Sequence, residues 1–597
     1  MKRLKYYLVN MENDTHTYKE MYDGKVFVEI NTGTKILEHM EEHNDAIYWD
    51  GEISYAIEMT HKMKKDQPTV VIQIPCELLK VDSFTTGSAD CCLRQFVPFI
   101  RDLNDNNHND ARSDQENGHY DCHLPSGEVL LRNSVFFKEV MPRDYRYLKG
   151  NKLQTLAPNE LSGPSTCLCI RIQVQLPEKK LKKTIQMLCK DLPDAVNRYV
   201  DHFSNALWQK ALDLETKQER IREWLKQSDY CAFVANGSIL PREKGGSKPA
   251  QYAIPFCSPA ECQIEVEGIC GMGIKKGVTV ITGGGYSGKS TLLEALSEGV
   301  YNHYIGDGRE LVLSDVQSMK ITAEDGRSVQ NVNVEPFIGW IPNGSVSDFS
   351  TVHASGSTSQ AANIMEAIHC GTKLLFIDED KSATNFMIRD QMMKELIAQE
   401  PIIPFTDRVR ELYEQLGVST ILVIGGSGEY LNVADHIYLM DQFMPVEVTQ
   451  MAQELGEQYA SKKSKKEPAS WVFQRTLNTE HFSSRSRKGK GEILEIWDKD
   501  FIFIGDERIE TRMLHHVATS EQNAAIGLII RRIMNSVSSN ELNLMEALDQ
   551  LYDQIYQDGL EVVFSNYFYN CCRFLDLPRK EEVLGAIYRM RRISFHY

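Results

Sequence analysis

The string GGGYSGKS (Gly283–Ser290) constrains this chain more than any other feature. It follows the apolar run GVTVIT and opens a helix-compatible stretch, so the backbone must turn sharply between a strand and a helix. Such a turn aims successive N–H groups at one point, with positive helix-end potential behind them, which is a cradle for phosphate. Gly288 permits close approach of the backbone to a ligand. Lys289 is placed to reach the β and γ phosphates of a nucleotide, the Ser290 hydroxyl to ligate Mg²⁺, and Thr291 to add a supporting contact. The nucleotide-binding candidates are therefore Gly283, Gly284, Gly285, Tyr286, Ser287, Gly288, Lys289, Ser290 and Thr291.

Two later segments supply the chemistry a bound triphosphate needs. KLLFIDED (Lys373–Asp380) is an apolar strand that delivers Asp378 and Glu379 to its carboxyl end, where the loops of a parallel sheet bind ligands. Asp378 is the second candidate Mg²⁺ group beside Ser290, and Glu379 is the residue to orient or deprotonate an attacking water. ASGSTSQAA (Ala354–Ala362) is a small, polar turn opening an amphipathic helix whose stripe is Ala361, Ile364, Met365 and Ile368, ended by Gly371.

The surrounding chain is long and globular in composition. Its 597 residues exceed what one core serves, and 42% hydrophobic with 25% charged residues excludes a mostly disordered, collagenous or coiled-coil chain. No apolar run reaches the roughly 18 residues of a membrane span, and no secretion signal is evident, so a soluble, cytoplasmic protein is expected. The 14 cysteines include no C-x-x-C pair and read as reduced thiols. The first part of the chain alternates strands such as VFVEI (Val26–Ile30), TVVIQI (Thr69–Ile74) and CLCIRIQVQL (Cys167–Leu176) with amphipathic stretches, an α+β pattern. Asn104–Gly118 reads as a surface loop without chemistry, 191–227 as a helical run, and NGSILPREKGGSKP (Asn236–Pro249) as an interdomain boundary. KLLFID and STILVI (Ser419–Ile424) suit a buried parallel sheet. Toward the C-terminus, Thr519 and Gln522 predict a capping box, and Leu544, Leu548, Leu551 and Ile555 stripe a helix that Gly559 stops.

The turn at Ala354–Ala362 precedes the acidic strand by the interval at which ATP-binding-cassette (ABC) ATPases carry their signature motif, and it resembles that motif. The strings VANGSILPRE, GMGIKKGVTVITGGGYSGKSTLLEAL, GDGRE, AEDGRSV, ASGSTSQAANIMEA, LFIDEDKSATNFMIRD and VIGGSGEY are similar to the family of predicted ABC-class ATPases of bacteria and lower eukaryotes. One member of that family belongs to the trypanosome mitochondrial RNA-editing machinery. The resemblance is dense from about Cys231 to Asp441 and looser on either side, and the first 70 residues lack the family's usual opening. It implies an α/β fold, a P-loop NTPase of ABC-ATPase type with a flanking N-terminal α+β domain and a C-terminal, mostly helical α+β domain, divided at 1–228, 229–450 and 451–597. It also implies a homodimer closed around ATP, in which Ser355, Gly356 and Ser357 serve the nucleotide held by the partner chain, and a basic central pore for RNA. SATN (Ser382–Asn385) takes the place of the family's D-loop. One departure concerns chemistry: where ABC ATPases place a switch histidine this chain has IGGSGEY (Ile424–Tyr430), leaving Ser427 as the candidate phosphate contact.

With 66 Lys and Arg against 83 Asp and Glu the net charge is −17, so nucleic acid must be held by local patches. The candidates are Arg485, Arg487, Lys488 and Lys490 in SSRSRKGKG, and Lys179 and Lys180 in KKLKK; a third cluster, Arg589, Arg591 and Arg592, serves equally to neutralise a helix end. No RNA-recognition aromatic motif is present, so any binding is expected to tolerate sequence. The expected function is an Mg²⁺-dependent ATPase acting on RNA or single-stranded nucleic acid. The rival is a slow ATP-gated dimerisation switch with a protein partner. A transporter subunit would need a coupling segment, and a chromosome-maintenance ATPase would need long heptad arms, and neither is present.

Overall fold

The computed structural model describes residues 46–58, 67–107, 118–140, 146–149, 152–155, 165–177, 181–244, 246–342, 344–389, 399–458, 468–486, 491–564 and 574–597, with a few isolated positions besides. The described chain forms two compact units, one comprising Met1–Pro125, Val129–Leu212 and Ile555–Asp576, the other Ser126–Glu128, Asp213–Gln554 and Leu577–Tyr597.

The first unit is an antiparallel sheet in the order Ala46–Asp50, Ile53–Glu58, Thr69–Pro75, Ser165–Gln175, His119–Cys122, with Val135–Val140 also paired to the long strand. Strand periodicity explains its two faces. Leu168, Ile170, Ile172 and Val174 enter the large core beneath helices Thr86–Asn107 and Leu192–His202, while Cys167 and Cys169 join Val71 and Ala56 on the opposite side. Val26–Ile30 lies outside the described residues. The loop expected at Asn104–Gly118 begins later than its polarity suggests, because Asn104–Asn107 complete a helix. There the Asn104 amide donates to Tyr120 O at 2.7 Å and accepts from Tyr120 N at 3.0 Å, fastening helix end to sheet. The expected helical run breaks at Phe203–Ser204, where Ser204 Oγ accepts from Leu207 N at 3.2 Å and starts helix Asn205–Gln227.

The second unit is built on a six-stranded sheet ordered Ser318–Ile321, Leu374–Asp378, Ser419–Val423, Val278–Gly283, His436–Asp441 and Met444–Glu447, parallel except for the last hairpin. Both faces are covered, which is why its strands read as unbroken apolar runs. Val278, Val280, Leu375, Ile377 and Leu422 pack to one side, and Ile281, Leu374, Phe376, Ile421 and Val423 to the other. The expected interdomain segment Asn236–Pro249 instead packs within this unit. Arg242 Nη2 bonds Asp307 at 2.7 Å, and buried Arg309 bonds Leu240 O, so the turn-forming residues shape a fixed loop.

Toward the C-terminus, the meander Leu494–Trp497, Phe501–Ile504, Glu507–Glu510 lies on helix Ser520–Ser536, where Gly527 approaches Leu494, Ile496 and Ile502. Thr519 caps that helix by accepting from Gln522 N at 3.0 Å, while Gln522 Oε1 reaches one residue further back than a capping box requires, to Ala518 N at 2.7 Å. The stripe of Leu544, Leu548, Leu551 and Ile555 is buried in helix Leu544–Asp558. Among the described residues no helix is long and apolar enough to cross a membrane. The described cysteines are free thiols, and burial pushes those of Cys169 and Cys231 up to about 12.

Candidate functional site

Parallel strands end at one edge of a sheet, so residues distant in sequence meet there. At this edge the chain leaves Val278–Gly283 through the glycine turn and enters helix Lys289–Glu298. Gly283 and Gly288 stand at φ 143° and 99°, where a side chain is strained. A Cβ on Gly288 would also lie 2.9 Å from the Phe443 ring, whereas Gly284 and Gly285 face open space. Lys289 Nζ donates to the carbonyls of Gly283 and Gly284, both at 2.8 Å, so its ammonium lies over the loop. Ser290 is exposed at the first helical turn. The buried Ser287 hydroxyl packs against Gly283 and has no hydrogen-bond partner among the described residues.

Asp378 is buried at the end of its strand, where its carboxylate accepts from Asp380 N at 3.2 Å. Glu379, half-buried, follows. Its Oε2 accepts from Gly425 N at 2.6 Å and Gly426 N at 3.0 Å, while Oε1 accepts no hydrogen bond among the described residues. The glycine loop that replaces a histidine thus grips the glutamate by its backbone and leaves one oxygen open. Ser427, half-buried on the same loop, accepts from Glu429 N at 3.3 Å through its hydroxyl. Glu294 of the loop helix bonds Lys320 Nζ at 3.2 Å and Lys381 Nζ at 3.1 Å, lashing that helix to the acidic turn. Burial alone would raise the Glu294 carboxyl, but the two lysines outweigh it and hold it below its ordinary range.

The helix Gly356–His369 begins at exposed Ser355, whose hydroxyl accepts from Thr358 N. Ala361, Ile364, Met365 and Ile368 are buried as their spacing requires. Gln360 from this helix donates to Ser382 Oγ at 3.0 Å and accepts from Ala383 N at 2.9 Å, setting the turn after Glu379. No hydrogen bond or ion pair among the described residues joins Ser355, Gly356 or Ser357 to the cradle of the same chain.

One wall of the site is invisible in the sequence. Beside Gly288 and Thr291 lies a cavity of about 580 Å³ lined by Leu240, Tyr252, Ile254, Phe256, Met440 and Phe443 among others. Tyr252 is 92% exposed and Phe443 50% exposed, unusual for aromatic rings. Phe443 is placed by a two-residue hairpin turn in which Gln442 and Phe443 both take positive φ, 46° and 69°, positions that ordinarily select Asn-Gly. Its N–H donates to Ser287 O at 3.0 Å, clamping the turn onto the phosphate loop. The only hint in the sequence was the aromatic-rich QYAIPF just after a turn-rich segment. Phe443→Gly should relieve about 1 kcal/mol of backbone strain yet weaken nucleotide binding severalfold; a thermal melt and an ATP titration on the same protein check both signs.

The basic candidates separate. Arg485 is exposed, its backbone forming an isolated antiparallel β-bridge with Glu492; Arg487, Lys488, Lys490, Lys179 and Lys180 lie outside the described residues. Arg589 is buried, bonding Glu324 at 2.5 Å and Gly585 O at 2.7 Å, so it is committed to a helix end and an ion pair, while Arg592 faces Asp506 at 3.4 Å.

The family model described as the ABC_ATPase P-loop domain matches residues 204–476, and that described as the MRB1590 C-terminal domain matches residues 494–596. The uncharacterized protein MJ1628 of Methanocaldococcus jannaschii is 30% identical over 332 residues, covering 51% of this chain and 71% of that protein. Solved structures with similarity include CbiO1 from Clostridium perfringens, part of the ABC transporter complex CbiONQ, at 16% identity and TM-score 0.24, covering 37% of this chain and 88% of that one. Another is the ADP conformation of MJ1267, an ATP-binding cassette of an ABC transporter, at 14% identity and TM-score 0.22, covering 33% and 93%.

Proposed function

Because this chain belongs to the family of ABC-class ATPases, we propose that it binds ATP at the glycine loop and hydrolyses it between two protomers, coupling turnover to single-stranded nucleic acid, RNA foremost. The observation that carries the ATPase reading is the open Oε1 of Glu379 at the sheet edge that bears the phosphate loop, with Oε2 fixed by Gly425 and Gly426. The base of ATP occupies the cavity walled by Tyr252, Ile254 and Phe443, where apolar and aromatic surface suits a planar ring. Loop N–H groups and Lys289 bind the phosphates and orient the terminal one.

Ser290 and Asp378 offer hard oxygen donors of the kind Mg²⁺ takes, and the bound ion would neutralise charge on the β and γ phosphates. Glu379 orients the attacking water through its open oxygen and accepts its proton. Among the described residues no hydrogen bond or ion pair ties Ser355, Gly356 or Ser357 to their own cradle, and the exposed Ser355 turn suits it to a nucleotide held by a second copy. ATP would then join two protomers.

A second reading is a slow ATP-gated switch, favoured by the replacement of the histidine loop with IGGSGEY. Steady-state ATP turnover, measured alone and with single-stranded RNA, single-stranded DNA or duplex DNA at low salt, separates the two. Stimulation by a single strand is expected. Slow turnover indifferent to every polymer would remove the nucleic-acid reading in favour of the switch.

A further inference from the structure

We propose that the solvent face of the meander Leu494–Glu510, together with the arginine cleft beside it, is a binding track for single-stranded nucleic acid, with bases stacking on Trp497, Phe501 and Phe503 and phosphates held by Arg508, Arg512 and Arg591. This rests on the nucleic-acid reading above and assigns it a place.

Strand alternation creates the face. Ile502, Ile504 and Ile509 are buried, so Trp497, Phe501, Phe503, Arg508, Glu495 and Glu510 point the other way. Register places Trp497 opposite Phe501 and Phe503 opposite Arg508. Trp497 is 60% exposed, and its ring meets Phe503 edge-on with centroids 6.1 Å apart. The guanidiniums of Arg508 and Arg512 lie 4.1 and 5.4 Å from the centre of the Phe501 ring. Three aromatics on an exposed sheet face are costly for solubility unless something covers them, and flanking arginines specify an anionic cover with flat apolar faces.

The adjoining cleft, about 310 Å³, carries the charge argument. Its wall includes Arg327, Arg508, Arg512, Arg589 and Arg591 against Glu324, Asp325 and Glu510. Arg589 and Arg327 are spent on Glu324 and Glu366, and Arg508 reaches Glu510 only at 3.8 Å. No carboxylate among the described residues pairs with Arg512 or Arg591, whose guanidiniums are left for phosphate. Stacking on π faces is indifferent to base identity, which agrees with the absence of a recognition motif. Glu495 and Glu510 on the same face disfavour a rigid duplex backbone lying across it and leave room for a flexible strand.

The test is fluorescence anisotropy of the full chain with labelled oligo-uridine, oligo-deoxythymidine and a duplex across a salt series. Trp497→Ala should weaken single-strand binding by about ten- to a hundredfold, with Trp497→Phe restoring most of it. The pair Arg512→Ala with Arg591→Ala should weaken binding and lower the salt slope by about two. Circular dichroism melts identify any variant that fails to fold; exposed Trp497 makes its two variants the decisive pair. If wild type binds single strands and both sets of variants bind equally well, the track is wrong and the nucleic-acid reading stands. If wild type binds none of the probes at low salt, both fail. Equal affinity for duplex would overturn the stacking platform.

Discussion

Glu379→Gln is expected to lower steady-state ATP turnover by about a hundredfold or more while ATP affinity stays within about twofold. Glutamine preserves the length and planarity of the side chain, and its amide oxygen can still accept from Gly425 and Gly426, so the loop geometry survives. What is lost is a carboxylate able to take a proton from water. On the proposed reading the phosphate contacts come from Lys289, which lies over the glycine turn, so binding should be independent of that change. The variant should therefore accumulate ATP and, with it, the dimer, measurable by size-exclusion chromatography in parallel with phosphate release. An unchanged, slow rate in both proteins would mean that Glu379 is not the base and that the gated-switch reading is the better one.

Arg132→Met is expected to cost the first unit about 3–5 kcal/mol. Arg132 is fully buried between Asp90, on helix Thr86–Asn107, and Asp576, its Nε lying 3.0 Å from the latter. Methionine fills the volume but leaves two carboxylates in an apolar core. Asp90 retains Arg94 at 2.5 Å, and Asp576 retains His123 at 3.5 Å. The charge on Asp576 must then be neutralised or the segment Ile555–Asp576 released. Thermal denaturation should show the first transition lowered by on the order of 10 °C, and adding Asp90→Asn should recover part of the loss. A first transition at its original temperature would mean the ion pairs are dispensable.

The sequence was most legible where backbone geometry dictates residue type. Gly283 and Gly288 need positive φ, the strand ending in Asp378 needs two buried faces, and Ser355 caps a helix whose stripe repeats at helical spacing; each leaves a local pattern. Illegible parts depend on partners far along the chain. Nothing in DQF marks Gln442 and Phe443 as a left-handed turn, since Asn-Gly is the usual signal, yet that turn walls the cavity. Gly425 and Gly426 read as a departure from a histidine, and only parallel strand order shows that their N–H groups meet Glu379. Likewise Trp497, Phe501 and Phe503 are scattered aromatics until the meander gives them one face.

The order of the parallel sheet has a consequence for the chain during synthesis. Gly277 N donates to Ser419 Oγ across 142 residues, and Val278 N to Asp435 across 157. The strand that feeds the phosphate loop thus lies between two neighbours that leave the ribosome long after it. At about 5–20 residues per second the loop waits on the order of 10 s without a sheet to hold it, so a nascent chain stopped before His436 should retain no ATP. Nucleotide is then expected to stabilise a sheet already closed rather than to template its folding.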